Sequence, residues 1–141
     1  MPAIRSLWFT WLRKEDKSLS LPDIVFADEP NRSGCYYHPD RNPVFIGANE
    51  YCPRRGLIVV GIESNDDEQI ANTIAHEWRH HWQFHNMKHT PYASFDSSIP
   101  YQAAIRNFFR SDHKEMDALI FSHKIAPCET TEIWLEYLRK G

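Results

Sequence analysis

Two histidines and a glutamate lie within five residues of one another near the middle of the chain, in the sequence His76-Glu77-Trp78-Arg79-His80. Histidines four positions apart on an α-helix project from one face, so both imidazoles can bind the same metal ion. The intervening glutamate lies about 100° around the helix axis, where it can act as general base on a metal-bound water rather than as a third ligand. Zinc suits such a site because it accepts neutral imidazole and lowers the pKa of its water to roughly 7.

The surrounding residues predict that this motif lies on an amphipathic helix running from about residue 66 to about residue 86. Residues 64–68 supply N-cap candidates and acidic side chains for the first turn. Turning the helix by 100° per residue places six apolar residues on one broad face: Ile70, Ala71, Ile74, Ala75, Trp78 and Trp82. The two histidines and the glutamate fall on another face. This pattern is typical of a helix with one face on the core and one facing a cleft.

A catalytic zinc usually takes three protein ligands and leaves one position to water, so a third ligand is expected downstream. Segment 112–121 offers four candidates within two helical turns: Asp112, His113, Glu115 and Asp117. Glu115 shares a helix face with Ala118, Leu119 and Ser122, so its carboxylate would point inward, where an acid needs a partner such as a metal. The alternative is that these acids form a solvated face with neighbouring basic residues.

Length, composition and charge exclude several classes of protein. The 141 residues, 42% of them hydrophobic, suffice for a single domain (1–141) with one core. Apolar runs of about five residues are far shorter than the roughly 18 that span a bilayer. A net charge of −3 favours neither a nucleic-acid partner nor a membrane surface. Three separated cysteines and the lack of a signal sequence predict a cytoplasmic protein, and the oligomeric state is not indicated.

The order of the predicted elements indicates an α+β fold. The pattern predicts a helix at 4–12, strands at 23–27, 34–37, 44–47 and 57–62, and then helices at 66–86, 101–110, 112–125 and 130–139. The strands at 34–37 and 44–47 are expected to pair as a hairpin. This order predicts a small, mostly antiparallel sheet with helices packed on one side.

Several of these segments together resemble the small zincin metallopeptidases of the gluzincin branch, and most closely the ImmA/IrrE-type domains of phages and mobile elements. The resemblance covers roughly residues 23–125 and is carried by the H-E-x-x-H motif, the strands before it, and segment 115–121, which is similar to the family's glutamate helix. It implies a minimal zincin-like fold in which the motif helix and the glutamate helix pack together on the sheet.

The resemblance also implies a function for each site residue. His76, His80 and Glu115 would be the zinc ligands, and Glu77 the catalytic base and acid. Asp117 is the runner-up ligand, or a partner of a ligand, because Leu119 stands where the thermolysin pattern has an aspartate that orients a zinc histidine.

The predicted function is a zinc-dependent endopeptidase that cleaves a protein or peptide substrate through a water activated by Glu77. Candidate donors for the oxyanion are Tyr92, Tyr101 and His113. The substrate-binding strand at the cleft edge is expected to be 57–62 or, if that strand is buried, 44–47. Two alternatives remain: a zinc-stabilised zincin-fold binding or regulatory module with little or no catalysis, and a metal-free helical interaction protein. No cofactor besides zinc is predicted.

Overall fold

The computed structural model describes residues 22–27, 34–40, 43–61, 66–87, 98–100, 103–104, 106–107, 109 and 112–140. Within them the fold is α+β, as the order of sequence elements predicts. The strands are β1 (Asp23–Phe26), β2 (Gly34–Tyr37), β3 (Val44–Ile46), β4 (Asn49–Tyr51) and β5 (Leu57–Val60). The helices are α1 (Asp67–Asn86), α2 (His113–Ile125) and α3 (Glu129–Lys140).

β5 is the central strand of a three-stranded sheet in the order β1-β5-β2. It pairs in parallel with β1 and antiparallel with β2. All four of its residues are buried, because Ile58 and Val60 pack toward α1 while Leu57 and Val59 pack on the opposite side. A strand buried on both faces has no polar alternation, which explains the continuous apolar run in the sequence.

The predicted hairpin between 34–37 and 44–47 is wrong. β2 pairs with β5, and β3 instead forms a hairpin with β4, a strand that the sequence pattern did not indicate. Gly47 adopts a positive φ of 63° in the two-residue turn between β3 and β4, a conformation that glycine reaches without a steric penalty. This tight turn pairs β3 with the segment that follows it rather than with β2.

α1 packs across the sheet and supplies most of the main core. Its first turn begins with a capping box, in which the Asp66 side chain accepts from the Gln69 amide and the Gln69 side chain accepts from the Asp66 amide. The core-facing side chains are fully or nearly fully buried and form one cluster with the sheet: Ile24, Ile58, Val60, Ile70, Ile74, Ala75 and Trp78. The apolar face predicted for this helix is therefore confirmed, and its opposite face is available for polar chemistry.

α2 packs along α1 and brings the downstream acidic segment to the motif. Asp112 caps it by accepting from the amides of Lys114 and Glu115, so the helix begins where the sequence predicts. Ala118, Leu119 and Ser122 are its buried residues. This packing places the first turn of α2 beside the central turns of α1.

The predicted helix at 4–12 lies outside the described residues. Within the predicted helix at 101–110, the described residues 103–104, 106–107 and 109 are helical.

In the described part of the chain, no helix combines the length and the apolarity needed to cross a membrane.

Candidate metal centre

His76, Glu77 and His80 lie in the middle of α1, on the side that faces α2 and β2. The rings of His76 and His80 are one helical turn apart, with centroids separated by 5.0 Å and planes inclined by 78°. His80 is buried, with 8% of its surface exposed, and His76 is partly exposed. The helix therefore presents both imidazoles to one small volume, as the spacing of the motif predicts.

Glu115 completes this group from α2. Its Oε2 lies 3.1 Å from His76 Nε2, and its Oε1 lies 3.0 Å from His80 Nε2. The capping of α2 by Asp112 sets this geometry, because it starts the helix so that Glu115 falls in the first turn on the side facing α1. Each carboxylate oxygen of Glu115 thus faces one imidazole, and the residue reaches both histidines at once.

The three side chains fit a divalent metal ion. One potential ligand atom from each of His76, His80 and Glu115 lies within 4.8 Å of the others. Ligands of a tetrahedral zinc are about 2.0–2.2 Å from the ion and hence about 3.4 Å from one another, a separation that small side-chain adjustments would reach. Two imidazoles and one carboxylate are also the donor set of many catalytic zinc sites, although these donors bind other first-row metals as well.

The electrostatics of the group are those of a charged pair in the metal-free protein. Burial by itself would lower the pKa of His80, but the hydrogen bond that His80 donates to Glu115 and the charges of Glu77 and Glu115 outweigh it and raise the pKa to about 9. Burial would raise the pKa of Glu115, yet its hydrogen bonds to His76 and His80 hold it well below the usual range. The carboxylate is therefore ionised, as metal binding requires.

Asp117, the runner-up ligand, lies outside the metal group. It lies two residues beyond Glu115 on α2, where it accepts from Arg79 Nε at 2.8 Å and from Gln83 Nε2 at 2.8 Å. Burial would raise the pKa of Asp117, but these hydrogen bonds and the charge of Arg79 lower it. Of the three acids considered as third ligand, Glu115 alone belongs to the group that could hold a metal.

The side chain of Glu77 is buried where α1 packs against β2. A Cβ atom at Gly34 of β2 would lie 3.4 Å from Glu77 Cγ and would clash with the methyl group of Thr73. Glycine at residue 34 therefore permits the close approach of β2 to this part of α1. Glu77 lies three residues before His80 on α1, and its negative charge contributes to the raised pKa of His80.

β2 is an edge strand in the described sheet, since β5 is its one partner there. It is held on α1 by a 2.7 Å hydrogen bond between Tyr36 Oη and His81 Nδ1. A Cβ atom at Gly56, whose φ is +87°, would come within 2.8 Å of His81 Nδ1 and 2.9 Å of Tyr36 Oη. β5 is buried in the sheet centre, which is the condition under which 44–47 was expected as the cleft edge, and the edge strand that lies along α1 in the described residues is β2. Which strand binds a substrate stays a prediction.

A cleft opens beside His80, with a volume of about 70 Å³. Its described lining comes from β2 and the residue after it, the end of α1 and the start of α2: Tyr36, His38, His80, Gln83, Phe84, Met87 and Lys114. The rings of His38 and Phe84 stack within it, with centroids 4.9 Å apart and planes inclined by 8°. The cleft therefore combines an aromatic wall with one residue of the metal group.

Of the three candidate oxyanion donors, the structure describes His113 only. Tyr92 and Tyr101 lie outside the described residues. His113 is the first residue of α2, is exposed, and is not part of the described cleft lining. Its position on the helix is one residue before Lys114, which does line the cleft.

Sequence reasoning missed three residues that surround the site. Gly34 allows the close packing of β2, and Tyr36 ties that strand to α1. Gln83 contacts His80 through a 2.8 Å hydrogen bond between Gln83 Oε1 and His80 Nδ1. Of these, Gln83 carries a sequence signal, because residues three apart on a helix share a face.

Comparison with known proteins identifies no relative of this protein. No family model, no curated protein and no solved structure matches this chain. The resemblance to gluzincins therefore stays a prediction, and any functional argument depends on the geometry of the three metal-binding candidates and of Glu77.

Proposed function

We propose that this protein is a metal-dependent peptidase whose zinc ion is held by His76, His80 and Glu115. The convergence of two imidazole nitrogens and one carboxylate from two packed helices is the observation that carries the proposal. The adjacent Glu77 supports it, because a carboxylate next to such a group is what water activation requires. The H-E-x-x-H motif and the resemblance to gluzincin domains favour the same reaction.

The metal when bound would polarise the scissile carbonyl and make a water molecule more acidic. Glu77 accepts a proton from the water as its oxygen bonds to the carbonyl carbon. The same carboxylate then donates that proton to the leaving amine nitrogen as the C–N bond breaks. The low exposure of Glu77 favours this proton transfer because bulk water does not compete for the carboxylate.

The substrate in this proposal is a protein or peptide in extended conformation. Its main chain would pair with β2, the edge strand that lies along α1, and its side chains would alternate between the cleft and solvent. The cleft beside His80 is then available to a substrate side chain.

A second function has support from the same geometry. The three candidate ligands come from α1 and α2, so a bound ion would join the two helices. A module in which zinc orders this helix pair for binding or regulation, without efficient hydrolysis, would have the same metal site.

The deciding experiment combines metal analysis with a cleavage assay. Protein purified without chelator and without a histidine tag should contain about one zinc per chain. His80→Ala should lose it, while His85→Ala, an exposed histidine on the same helix, should keep it. Glu77→Gln should retain zinc but fail to cleave a diverse peptide mixture that the parent protein cleaves, with products identified by mass spectrometry.

Three outcomes distinguish the peptidase from the zinc-ordered binding module. Zinc binding with Glu77-dependent cleavage supports the peptidase. Zinc binding without cleavage by the parent protein favours the zinc-ordered binding module. A folded parent protein that binds no zinc contradicts both.

A further inference from the structure

Gln83 lies at the centre of a chain of hydrogen bonds that begins at His80. It is 2% exposed, and it lies one helical turn after His80 on α1. Gln83 Oε1 is 2.8 Å from His80 Nδ1, and Gln83 Nε2 is 2.8 Å from both the Lys114 carbonyl oxygen and Asp117 Oδ2. All three polar contacts are therefore short, and the one to His80 is buried.

The partners of Gln83 decide which way its amide points. The carbonyl oxygen of Lys114 and the ionised carboxylate of Asp117 are both acceptors, so each needs a donor. Both therefore face the NH₂ group, which has two hydrogens to donate. The remaining amide oxygen faces His80 Nδ1, and because a carbonyl oxygen accepts only, His80 must donate from Nδ1.

Arg79 fixes Asp117, the next residue in this series of hydrogen bonds. Its Nε and Nη2 donate to the two oxygens of Asp117 at 2.8 Å and 3.3 Å. The guanidinium lies over the Trp82 ring at 3.9 Å and near the Phe121 ring at 4.9 Å. These contacts fix the carboxylate of Asp117, which in turn fixes the amide of Gln83.

We propose that Gln83 is a positioning residue for the metal site: it keeps the His80 proton on Nδ1, so that the lone pair of Nε2 faces the ion beside Glu115. Asp117 and Arg79 act through Gln83 in this arrangement. A ligand histidine whose other nitrogen donates to an acceptor is held in one tautomer and one ring orientation, which strengthens metal binding. The inference rests on the metal site of the proposed function and is independent of peptidase activity.

Removing the hydrogen bonds of Gln83 tests this directly. Gln83→Met keeps the side-chain length but neither accepts from His80 nor donates to Asp117. Its zinc affinity, measured by competition with a chromophoric chelator, should be about 10–100-fold weaker than that of the parent protein. Gln69→Met, the same substitution on the same helix at the α1 N-terminus, should change it by less than about twofold.

A rescue variant distinguishes positioning from packing. In Gln83→Glu with Asp117→Asn, the new carboxylate accepts from His80 Nδ1 and from the new amide, and that amide's oxygen accepts from Arg79. The total charge is unchanged, but the Lys114 carbonyl loses the donor at residue 83 and faces a carboxylate oxygen instead. Only the acceptor for His80 Nδ1 is restored, so zinc affinity should exceed that of Gln83→Met by at least about fivefold without reaching the parent value.

Asp117→Asn alone is the matched control for the double variant. The side-chain oxygen at residue 117 can still accept from Arg79 Nε and Gln83 Nε2, which both donate to one oxygen of Asp117. Gln83 Nε2 also keeps the Lys114 carbonyl as an acceptor, so the amide oxygen still faces His80 Nδ1 and zinc affinity should stay within about threefold of the parent value. The Co²⁺ absorption spectrum of each variant reports ligand geometry, and melting temperatures in chelator report stability without metal.

The results have distinct meanings. Weaker zinc binding by Gln83→Met, near-parent binding by Asp117→Asn and recovery in the double variant together support the inference. Unchanged affinity in Gln83→Met, a loss of about tenfold or more in Asp117→Asn, or no recovery in the double variant overturns it while leaving the metal site intact. If Gln83→Met does not fold, zinc affinity of the double variant within about tenfold of that of Asp117→Asn supports the inference, and a larger loss overturns it. A parent protein that binds no zinc removes the proposed function and this inference together.

Discussion

Gly34 of β2 and Glu77 of α1 lie so close that a single added methyl group at residue 34 would stand 3.4 Å from Glu77 Cγ. The same Cβ would clash with Thr73 and lie 3.2 Å from the Val59 carbonyl oxygen. The side chain of the candidate catalytic residue Glu77 is therefore packed against the edge strand. The close approach of β2 to this part of α1 depends on the absence of a side chain at residue 34.

Gly34→Ala is expected to destabilise the protein by about 1–3 kcal/mol, because the added methyl overpacks the contact between β2 and α1. It should also reduce any Glu77-dependent cleavage, since relief of the clash with Thr73 moves β2 relative to the part of α1 that carries Glu77. Urea unfolding and the peptide cleavage assay measure the two effects. Thr73→Ser removes the clashing methyl group, so the double variant Gly34→Ala with Thr73→Ser should recover part of the lost stability. A Gly34→Ala variant as stable as the parent protein would contradict this packing argument.

Chelation should lower the melting temperature of the zinc-loaded protein. A ligand present at about 1,000 times its Kd stabilises the folded state by about 4 kcal/mol, which corresponds to roughly 10 °C for a domain of this size. At the same zinc concentration the shift should fall to about a third or less in Glu115→Gln, which loses the carboxylate ligand. Calorimetry with and without chelator makes the comparison, and an equal shift in the variant would exclude Glu115 from the site.

Glu115→Gln should weaken zinc binding by at least about 100-fold, because the amide keeps the side-chain length but has no negative charge to offer the ion. The matched control is Glu132→Gln on α3, an exposed acid whose loss should leave zinc affinity unchanged. Competition titration against a chelator measures both. Similar affinities for the two variants would indicate that zinc binds elsewhere.

The metal-free protein should lose stability as the pH rises through about 9. The pKa of His80 is raised from 6.5 to about 9 in the folded state, so the folded protein holds this proton more tightly than the unfolded chain. The resulting stabilisation is fully present below pH 6.5 and is lost as the pH rises through 9. Urea unfolding of chelator-treated protein between pH 6 and 9.5 measures this slope.

His80→Gln provides the control for this pH dependence, since it lacks the titrating group while other groups remain. The difference in unfolding free energy between parent and variant should shrink across the same pH interval. A constant difference would show that His80 and Glu115 are not paired in the metal-free protein. Zinc affinity should change in the opposite direction and increase with pH, because binding displaces the proton of His80.

The sequence by itself determined the elements in which local periodicity is strong. The apolar stripe of α1 and the acidic residues at its start predicted the helix and the face carrying His76, Glu77 and His80. The run of β-branched residues predicted β5, and Asp112 marked the start of α2. These features depend on residues within one or two turns of each other, so their spacing in the chain is enough.

Tertiary structure alone decided the pairings between distant residues. The sequence left Glu115 and Asp117 both open as ligands, and the packing of α2 on α1 turned the first toward the histidines and the second toward Arg79 and Gln83. The local sequence likewise did not indicate that β2 pairs with β5. The segments 34–37 and 44–47, which were predicted to form a hairpin, both carry residues suited to strands, so their composition did not exclude that pairing. The physical reason is that strand pairing and helix rotation depend on which apolar surfaces are buried together, and that is a property of the whole chain rather than of any single segment.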